Sequence, residues 1–294
     1  MKLQPREDWM YWLLLAHYAT VETRKRFWAE QPDDLPAFLR AQPEWAELEP
    51  KLVQEAMLVN ALSEQGGSLI TLADAEYPQS LLTLAKVSPP LVLYALGDVS
   101  ILAESPFVAF TGSRNASEQA IEQVKRITIE LVDEGYHTVT GFARGVDLVV
   151  AQTTLEQQGK TIGVLAQGLL HRLTQQAARE YMHALNDDRL LFLSELHPNA
   201  SWSGSFAMMR NRIVAALGDF LIVGESGPET SQRNGKTVRS GTYECAKIAR
   251  KIGRSVYALD LPAEGNQQLL RHGIAVRWDE ASSQTQAEQG TLFE

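Results

Sequence analysis

Cysteine is nearly absent. Cys245 stands alone among 294 residues, so no internal disulfide can form and a reducing, cytoplasmic setting is expected. Long hydrophobic runs are missing too. The apolar patch at residues 9–15 is far shorter than a membrane span, and Lys2 and Arg6 lead into acidic residues, so neither a bilayer helix nor a signal peptide is expected. The six histidines show no metal-ligand spacing. No serine, cysteine and histidine set suggests a nucleophile with its base. No GxGxxG follows a strand, which argues against a dinucleotide cofactor. Gly235-Lys236-Thr237 resembles the end of a Walker loop, but Thr230 occupies the position of its first glycine and no strand leads in. No cofactor and no metal are expected. Positive charge is scarce: 27 Lys and Arg against 36 Asp and Glu give a net charge of −9. Such a chain is no general polyanion binder, and any such role needs a local cationic patch.

What is present is an ordinary folded composition, 45% hydrophobic and 21% charged. Residues 1–65 read as a helical N-terminal domain, with apolar positions at helical spacing over 9–19 and 52–62. Pro32, Pro36, Pro43 and Pro50 divide its middle into short helices. Residues 1–100 hold eight Lys and Arg against fourteen Asp and Glu. Residues 66–105 read as a connector and lead-in, with one strand at 68–71 and irregular chain around Tyr77-Pro78, Pro89-Pro90 and Gly97. Over 106–279 short apolar strands alternate with helices. Strands are expected at 107–110, 137–140, 161–165, 190–193, 220–224 and 255–259. Helices follow, one ending at Gly135 and one at Gly159, then at 177–185, 206–217 and 241–252. This rhythm predicts an α/β fold with parallel βαβ units in a doubly wound sheet. Ligands on such sheets sit at the carboxyl ends of the strands. Residues 280–294 are polar and expected to be disordered.

Four turns at those ends carry candidate chemistry. Thr111-Gly112-Ser113-Arg114 breaks the first strand, and Asn115 or Ser117 can cap the next helix. Backbone N–H groups, a positive dipole end and the planar fork of Arg114 together suit a phosphate. Gly141-Phe142-Ala143-Arg144-Gly145-Val146-Asp147 repeats the pattern, although a tight βα turn with Asp147 in the first helical turn explains it equally well. Arg210-Asn211-Arg212 interrupts an otherwise apolar helix and is hard to explain as solvated surface. Ser240-Gly241-Thr242 opens another helix. Residues 204–254 hold nine Lys and Arg against four Asp and Glu, and Arg233, Lys236 and Arg239 share one polar loop. That loop is either plain solvated chain or an electrostatic clamp on a polyanion.

Six segments, GSRNAS, TGFARGVD, KTIGVLAQGL, LSELHP, FAMMRNRIVAAL and SGTYECAKIARKIGRSVYALDLP, stand in the order of the DNA-processing protein A family, DprA or Smf. The family pattern they resemble runs GSR-x-[ST], SG-x-ARG-[IV]-D, T-[IV]-x-VL-x-x-GL, SE-x-P, F-x-x-RNR-[IV]-[IV]-x-x-L and SG-[ST]. EYPQSLLTLAKVSPPLVLYALGD resembles its lead-in, so the likeness covers residues 70–275. The resemblance implies an extended Rossmann-like domain that binds single-stranded DNA without catalysis, forms a homodimer and assists loading of the recombinase RecA in DNA uptake. On that reading Arg114, Arg144, Arg210 and Arg212 hold phosphates, with Arg233, Lys236 and Arg239 adding charge. Gly112, Ser113, Gly141, Gly145, Gly168, Ser240, Gly241 and Thr242 bring backbone close to the ligand, and Asp147 and Asn211 position the loops. Gln152 stands where the family commonly has histidine, residues 227–239 look inserted, and no winged helix is expected after residue 280. A rival reading is a nucleotide sensor or a phosphoribohydrolase-like enzyme using Glu244, since Thr242 and Glu244 resemble the GT-x-x-E element of those hydrolases. Finally, Gln289, Leu292 and Phe293 resemble the short Gln-x-x-Leu-Phe peptide that docks on replication sliding clamps.

Overall fold

Apolar side chains fill both faces of the central strands, the pattern of a parallel sheet covered by helices on each side. The computed structural model describes residues 3, 6–86, 89–233 and 235–279; the expected clamp peptide at Gln289, Leu292 and Phe293 lies outside them. Helices α1 (Trp9–His17), α2 (Val21–Glu30), α3 (Leu35–Arg40), α4 (Trp45–Leu48) and α5 (Leu52–Glu64) come first. Strands β1 (Gly67–Thr71) and β2 (Val92–Gly97) follow. Alternation then sets in with β3 (Phe107–Thr111), α6 (Glu118–Asp133), β4 (His137–Thr140), α7 (Val146–Glu156) and β5 (Thr161–Val164). Next come α8 (Arg172–Glu180), α9 (Met182–Asn186), β6 (Leu190–Ser194), α10 (Gly204–Leu217) and β7 (Phe220–Val223). A hairpin of β8 (Thr230–Arg233) and β9 (Lys236–Arg239) leads into α11 (Gly241–Lys251), β10 (Ser255–Ala258), α12 (Glu264–Arg271) and β11 (Val276–Arg277).

Nine strands form one sheet in the order β1-β2-β6-β5-β4-β3-β7-β10-β11. The run from β6 to β11 is parallel, and β1 and β2 add antiparallel to its β6 side. This is the expected Rossmann-like, mainly parallel α/β fold. From β3 the chain winds outward through β4, β5 and β6, then crosses back to β7 on the other flank. The switch of direction opens a crevice at the carboxyl ends of β3 and β7. Within β3 the side chains alternate: Val108 and Phe110 join the core with Val124, Ile127 and Val150, while Ala109 joins Ile213, Val214 and Leu221 on the other face. Phe110 is fully buried, a contribution of roughly 1.5–3 kcal/mol for such a side chain.

Several stretches differ from the sequence expectation, among them α12 and β11, for which no element was expected. Residues 66–105 supply the strand expected at 68–71, as β1, and a second one, β2, which the Pro89-Pro90 pair ahead of it hides in the sequence. Tyr77 steadies that entry by donating its hydroxyl to Pro90 O at 2.7 Å. The polar loop before α11 is an antiparallel hairpin. The dipeptide Asn234-Gly235 is a strong hairpin signal in the sequence, and Gly235 takes φ +72°, but the flanks lack apolar alternation. The single helix expected at 177–185 breaks at Tyr181, whose ring packs edge-on to Phe142 at 5.3 Å.

The N-terminal helices lie on the β1–β2–β6 flank. Trp9, Leu13, Leu14 and Leu62 share one apolar cluster with Leu69, Tyr94, Leu190 and Phe192. A polar seam runs through it: His17 Nδ1 lies 3.2 Å from Glu55 Oε1, and Tyr94 Oη lies 2.8 Å from His17 Nε2. No described helix is long and apolar enough to cross a membrane.

Burial holds two histidines below their ordinary pKa. His137 is pushed down mainly by desolvation, against the pull of Glu104, with Lys160 adding to the lowering. His197 is pushed down by desolvation and by His17, against Glu55. Each is therefore neutral in the fold at a pH where the unfolded chain, titrating near pKa ~6.5, takes up a proton. Stability is expected to be flat between pH 8 and 7 and to fall as pH drops below about 6.5. Urea midpoints across that range read this out, and His137→Asn with His197→Asn should flatten the fall.

Candidate nucleic-acid interface

The crevice is built from glycine-permitted contacts between turns. After β3, Gly112 leaves room for the Val146 side chain, which a Cβ would overlap. Gly145 sits at φ +89°, and a Cβ there would run into Ser113 O and the Arg114 backbone. Val146 N donates to Ser113 O at 3.2 Å, so the second turn docks on the first. Ser117, of the two cap candidates, caps α6 by accepting from Ala120 N. The expected phosphate cradle at that helix start is already filled. Glu225, at the end of β7, accepts from Ser117 N at 3.0 Å and from its hydroxyl at 2.6 Å. A protein carboxylate thus satisfies the anion site that the sequence assigned to a ligand.

At the floor lies a buried ion pair. Asp147 on α7 and Arg210 on α10 face each other at 3.6 Å, both side chains 7% exposed. Desolvation pushes the Asp147 carboxyl up, opposed by Arg210 and by N–H groups of Ala143 and Gly141 that donate to it. Desolvation likewise pushes the Arg210 guanidinium down, opposed by Asp147, with Arg114 as a neighbouring positive charge. Gly141 is required here, because a Cβ would occupy the space of the Arg210 guanidinium. Arg210 Nε is a buried donor with no hydrogen-bond partner among the described residues. Asn211 Nδ2 donates to Gly241 O at 2.9 Å and so fixes the start of α11. Ser240 caps that helix through Tyr243 N.

These parts line a cleft of about 740 Å3. Ser113, Arg114, Arg210 and Asn211 stand on one side, Ser240, Gly241 and Thr242 at the α11 N-terminus, and Arg239 on the hairpin. Trp202, ahead of α10, is 43% exposed, and the Arg114 guanidinium lies over its ring at 5.0 Å. Beyond this stack a second cavity of about 530 Å3 runs past Phe142, Arg144, Gln167 and Tyr181. Arg144 donates to the Asn115 side chain, bridging the first two turns.

Other expected site residues lie elsewhere. Arg212 points away from the cleft and forks onto both carboxylate oxygens of Glu195, tying the segment after β6 to α10. Gly168 serves a backbone crossing: a Cβ would run into the carbonyls of His197 and Pro198. Glu244, the catalytic candidate of the rival reading, is held by Lys247 at 3.3 Å and does not line the cleft. Lys236 is exposed on the hairpin beside the lining residue Thr237 without itself lining the cleft, and Arg233 belongs to β8. Sequence reasoning missed Trp202, whose signal was a lone tryptophan in the polar run 199–205 just before the arginine helix. It also missed Glu225 as a cap. Cys245 is inert, its thiol pushed up to about 12 by burial.

Gly141→Ala is expected to destabilise the fold by about 1–3 kcal/mol through overpacking against Arg210. Gly204→Ala, where a Cβ would meet nothing within 4 Å, should lie within about 0.5 kcal/mol of the parent. Urea unfolding of the two variants side by side measures the difference.

Comparisons with known proteins bear on the family and the fold. The family model for DNA recombination-mediator protein A matches residues 68–288. DNA processing protein DprA of Bacillus subtilis is 29% identical over 234 residues, covering 78% of this chain and 73% of that protein. The chain spans about half the length of several other curated relatives, 52–55%. Among solved structures, DNA processing protein A from Streptococcus pneumoniae superimposes with a TM-score of 0.69 at 24% identity, over 94% of this chain and 95% of that one. The Helicobacter pylori DNA processing protein A, solved for its single-stranded DNA binding mode, gives a TM-score of 0.59 at 25% identity, over 71% and 90%. With three quarters of its length under the family model and the relatives' sheet beneath its cleft, the chain belongs to the DNA recombination-mediator protein A family, DprA or Smf.

Proposed function

We propose that the protein binds single-stranded DNA in the cleft between β3, α10 and α11, performs no chemistry on it, and presents the strand for loading of the recombinase RecA. The observation that carries this reading is the convergence of Arg114, Arg210 and Arg239 with the α11 N-terminus in a protein of net charge −9. Cations gathered in one cleft of an acidic chain mark a specific polyanion site rather than a sticky surface. Arg210 places a guanidinium at the floor of the cleft, held there by Asp147. The exposed Trp202 ring supports the same reading, since aromatic platforms accept unstacked bases of any sequence. The H. pylori relative, solved for its single-stranded DNA binding, supports it by kinship. A homodimer belongs to the same proposal.

The test is a titration with an oligo-dT strand, its duplex counterpart and mononucleotides at two salt concentrations. Strand binding should exceed mononucleotide binding and weaken steeply with salt. Arg114→Gln with Arg144→Gln, both exposed, should weaken strand binding on the order of 10-fold at 0.1 M salt and shrink the log–log salt slope by about 1.4. Mononucleotides bound more tightly than the strand would sink the reading in favour of a nucleotide sensor.

A further inference from the structure

The hairpin of β8 and β9 has no place in the nine-stranded sheet; its strands pair with each other. An isolated two-stranded hairpin is marginal in water unless an apolar face or a neighbouring element supports it. This one has little of either. All of β9 is exposed, and Val238, the one aliphatic residue in 230–239, is itself 39% exposed. Its root, by contrast, is tied down. Ser240 N donates to Glu229 O at 3.0 Å, Glu229 N donates to Gln268 Oε1 at 2.9 Å, and Lys247 Nζ holds the Glu229 carboxylate at 2.7 Å. A fixed root therefore carries a polar arm across the mouth of the cleft, which Ser231, Thr237, Val238 and Arg239 line. The arm carries Arg233, Lys236 and Arg239 and no acidic residue. Arg239 immediately precedes the Ser240 cap, so its charge adjoins the α11 N-terminus. Arg114 and, at the floor, Arg210 line the same cleft.

We infer that the hairpin is the second wall of a clamp, which holds a single strand's phosphodiester backbone against Arg114 and Arg210 and excludes a paired second strand. The inference rests on the single-stranded DNA reading above and adds to it the source of selectivity. A single strand is thin and pliant, and it can follow a groove with cations on both sides. A duplex is stiff over about 50 nm and carries its two backbones on the outside, so it cannot bend beneath an arm fixed at its root. The same contacts explain how so polar a hairpin is stabilised: phosphates of the bound strand supply the partners that its own sequence lacks. Each single-strand phosphate contact contributes about 0.7 to the log–log salt slope, so three hairpin cations contribute about 2.

Two variants test this. In the first, residues 230–239 are replaced by Gly-Gly, which spans the hydrogen-bonded Glu229–Ser240 root without touching the sheet. In the second, Arg233→Gln, Lys236→Gln and Arg239→Gln remove the charge and keep the hairpin. Thermal melting verifies that both fold, and anisotropy with an oligo-dT strand and a blunt duplex is read over a salt series. The charge variant should bind the strand about 10–100-fold more weakly at 0.1 M salt, with the slope reduced by about 2. The deletion should also lower the strand-to-duplex affinity ratio at least 10-fold. In the parent, trypsin should cut after Lys236 and Arg239, and saturating oligo-dT should suppress those cuts. Parent-like affinity, slope and strand-to-duplex ratio in both variants, with the hairpin still cut in the bound parent, would overturn the clamp and leave the DNA reading standing. A parent that binds no strand would remove both.

Discussion

The cleft depends on one buried contact, the Arg210–Asp147 pair beneath Gly141. It joins three elements that the chain visits far apart: the end of β4, the first turn of α7 and the middle of α10. Asp147 takes N–H groups from Gly141 and Ala143 as well as the guanidinium, so one carboxylate shapes the turn and orients the cation. Such a pair adds little net stability, because desolvating both charges offsets their attraction. Losing one partner alone is costly, since the other is then buried unpaired. The pair therefore works as a geometric constraint. It keeps a positive charge at the floor of a crevice where a solvated lysine would swing free, and Gly141 is the space that makes it possible.

Around that floor, helix ends are divided between structure and ligand. Of the helices that begin at the carboxyl edge of the sheet, α6, α7 and α11 start beside the cleft and offer N–H groups. The α6 end is consumed by Ser117 and Glu225, and the α7 end carries Asp147 turned inward to Arg210. The α11 end is capped by Ser240 but faces the cleft, with Gly241 and Thr242 lining it. Asn211 holds that end in place from α10, next to the arginine it must work with. The motif Arg210-Asn211-Arg212 thus divides its work by helical direction. Arg210 faces the floor, Asn211 faces α11, and Arg212 turns to Glu195 to lock the preceding segment.

The same logic explains what could be read from the sequence. The strands from Phe107 onward were legible because buried parallel strands are continuous apolar runs between glycine turns, a signal that survives without any tertiary knowledge. The turns at Gly112 and Gly141 were legible as crowded positions, but what crowds them is Val146 and Arg210 rather than a ligand. Orientation was not legible. Nothing in the sequence separates Arg210 from Arg212, two residues apart on one helix, because their roles are set by Asp147 and Glu195 on distant segments. Gly168 looks like a ligand glycine but serves a backbone crossing under His197 and Pro198. Trp202 escaped notice because an exposed aromatic has no periodicity. The β8–β9 hairpin escaped because its strands are polar on both faces, so only its Asn234-Gly235 turn marks it.

The acidic balance and the cationic cleft are not in conflict once distance is considered. Residues 1–100 hold fourteen acids against eight bases, whereas 204–254 hold nine bases against four acids. At physiological ionic strength a charge is screened over about 8 Å, so a phosphate at the cleft responds to Arg114, Arg210 and Arg239 rather than to the remote acidic helices. At low salt, where screening reaches further, the acidic helices repel a polyanion that approaches their own face. On the proposed reading the excess negative charge serves selectivity, because it disfavours a polyanion outside the cleft. Within the cleft, enclosure strengthens the effect of the few cations, because low-dielectric walls focus their field on the space they line.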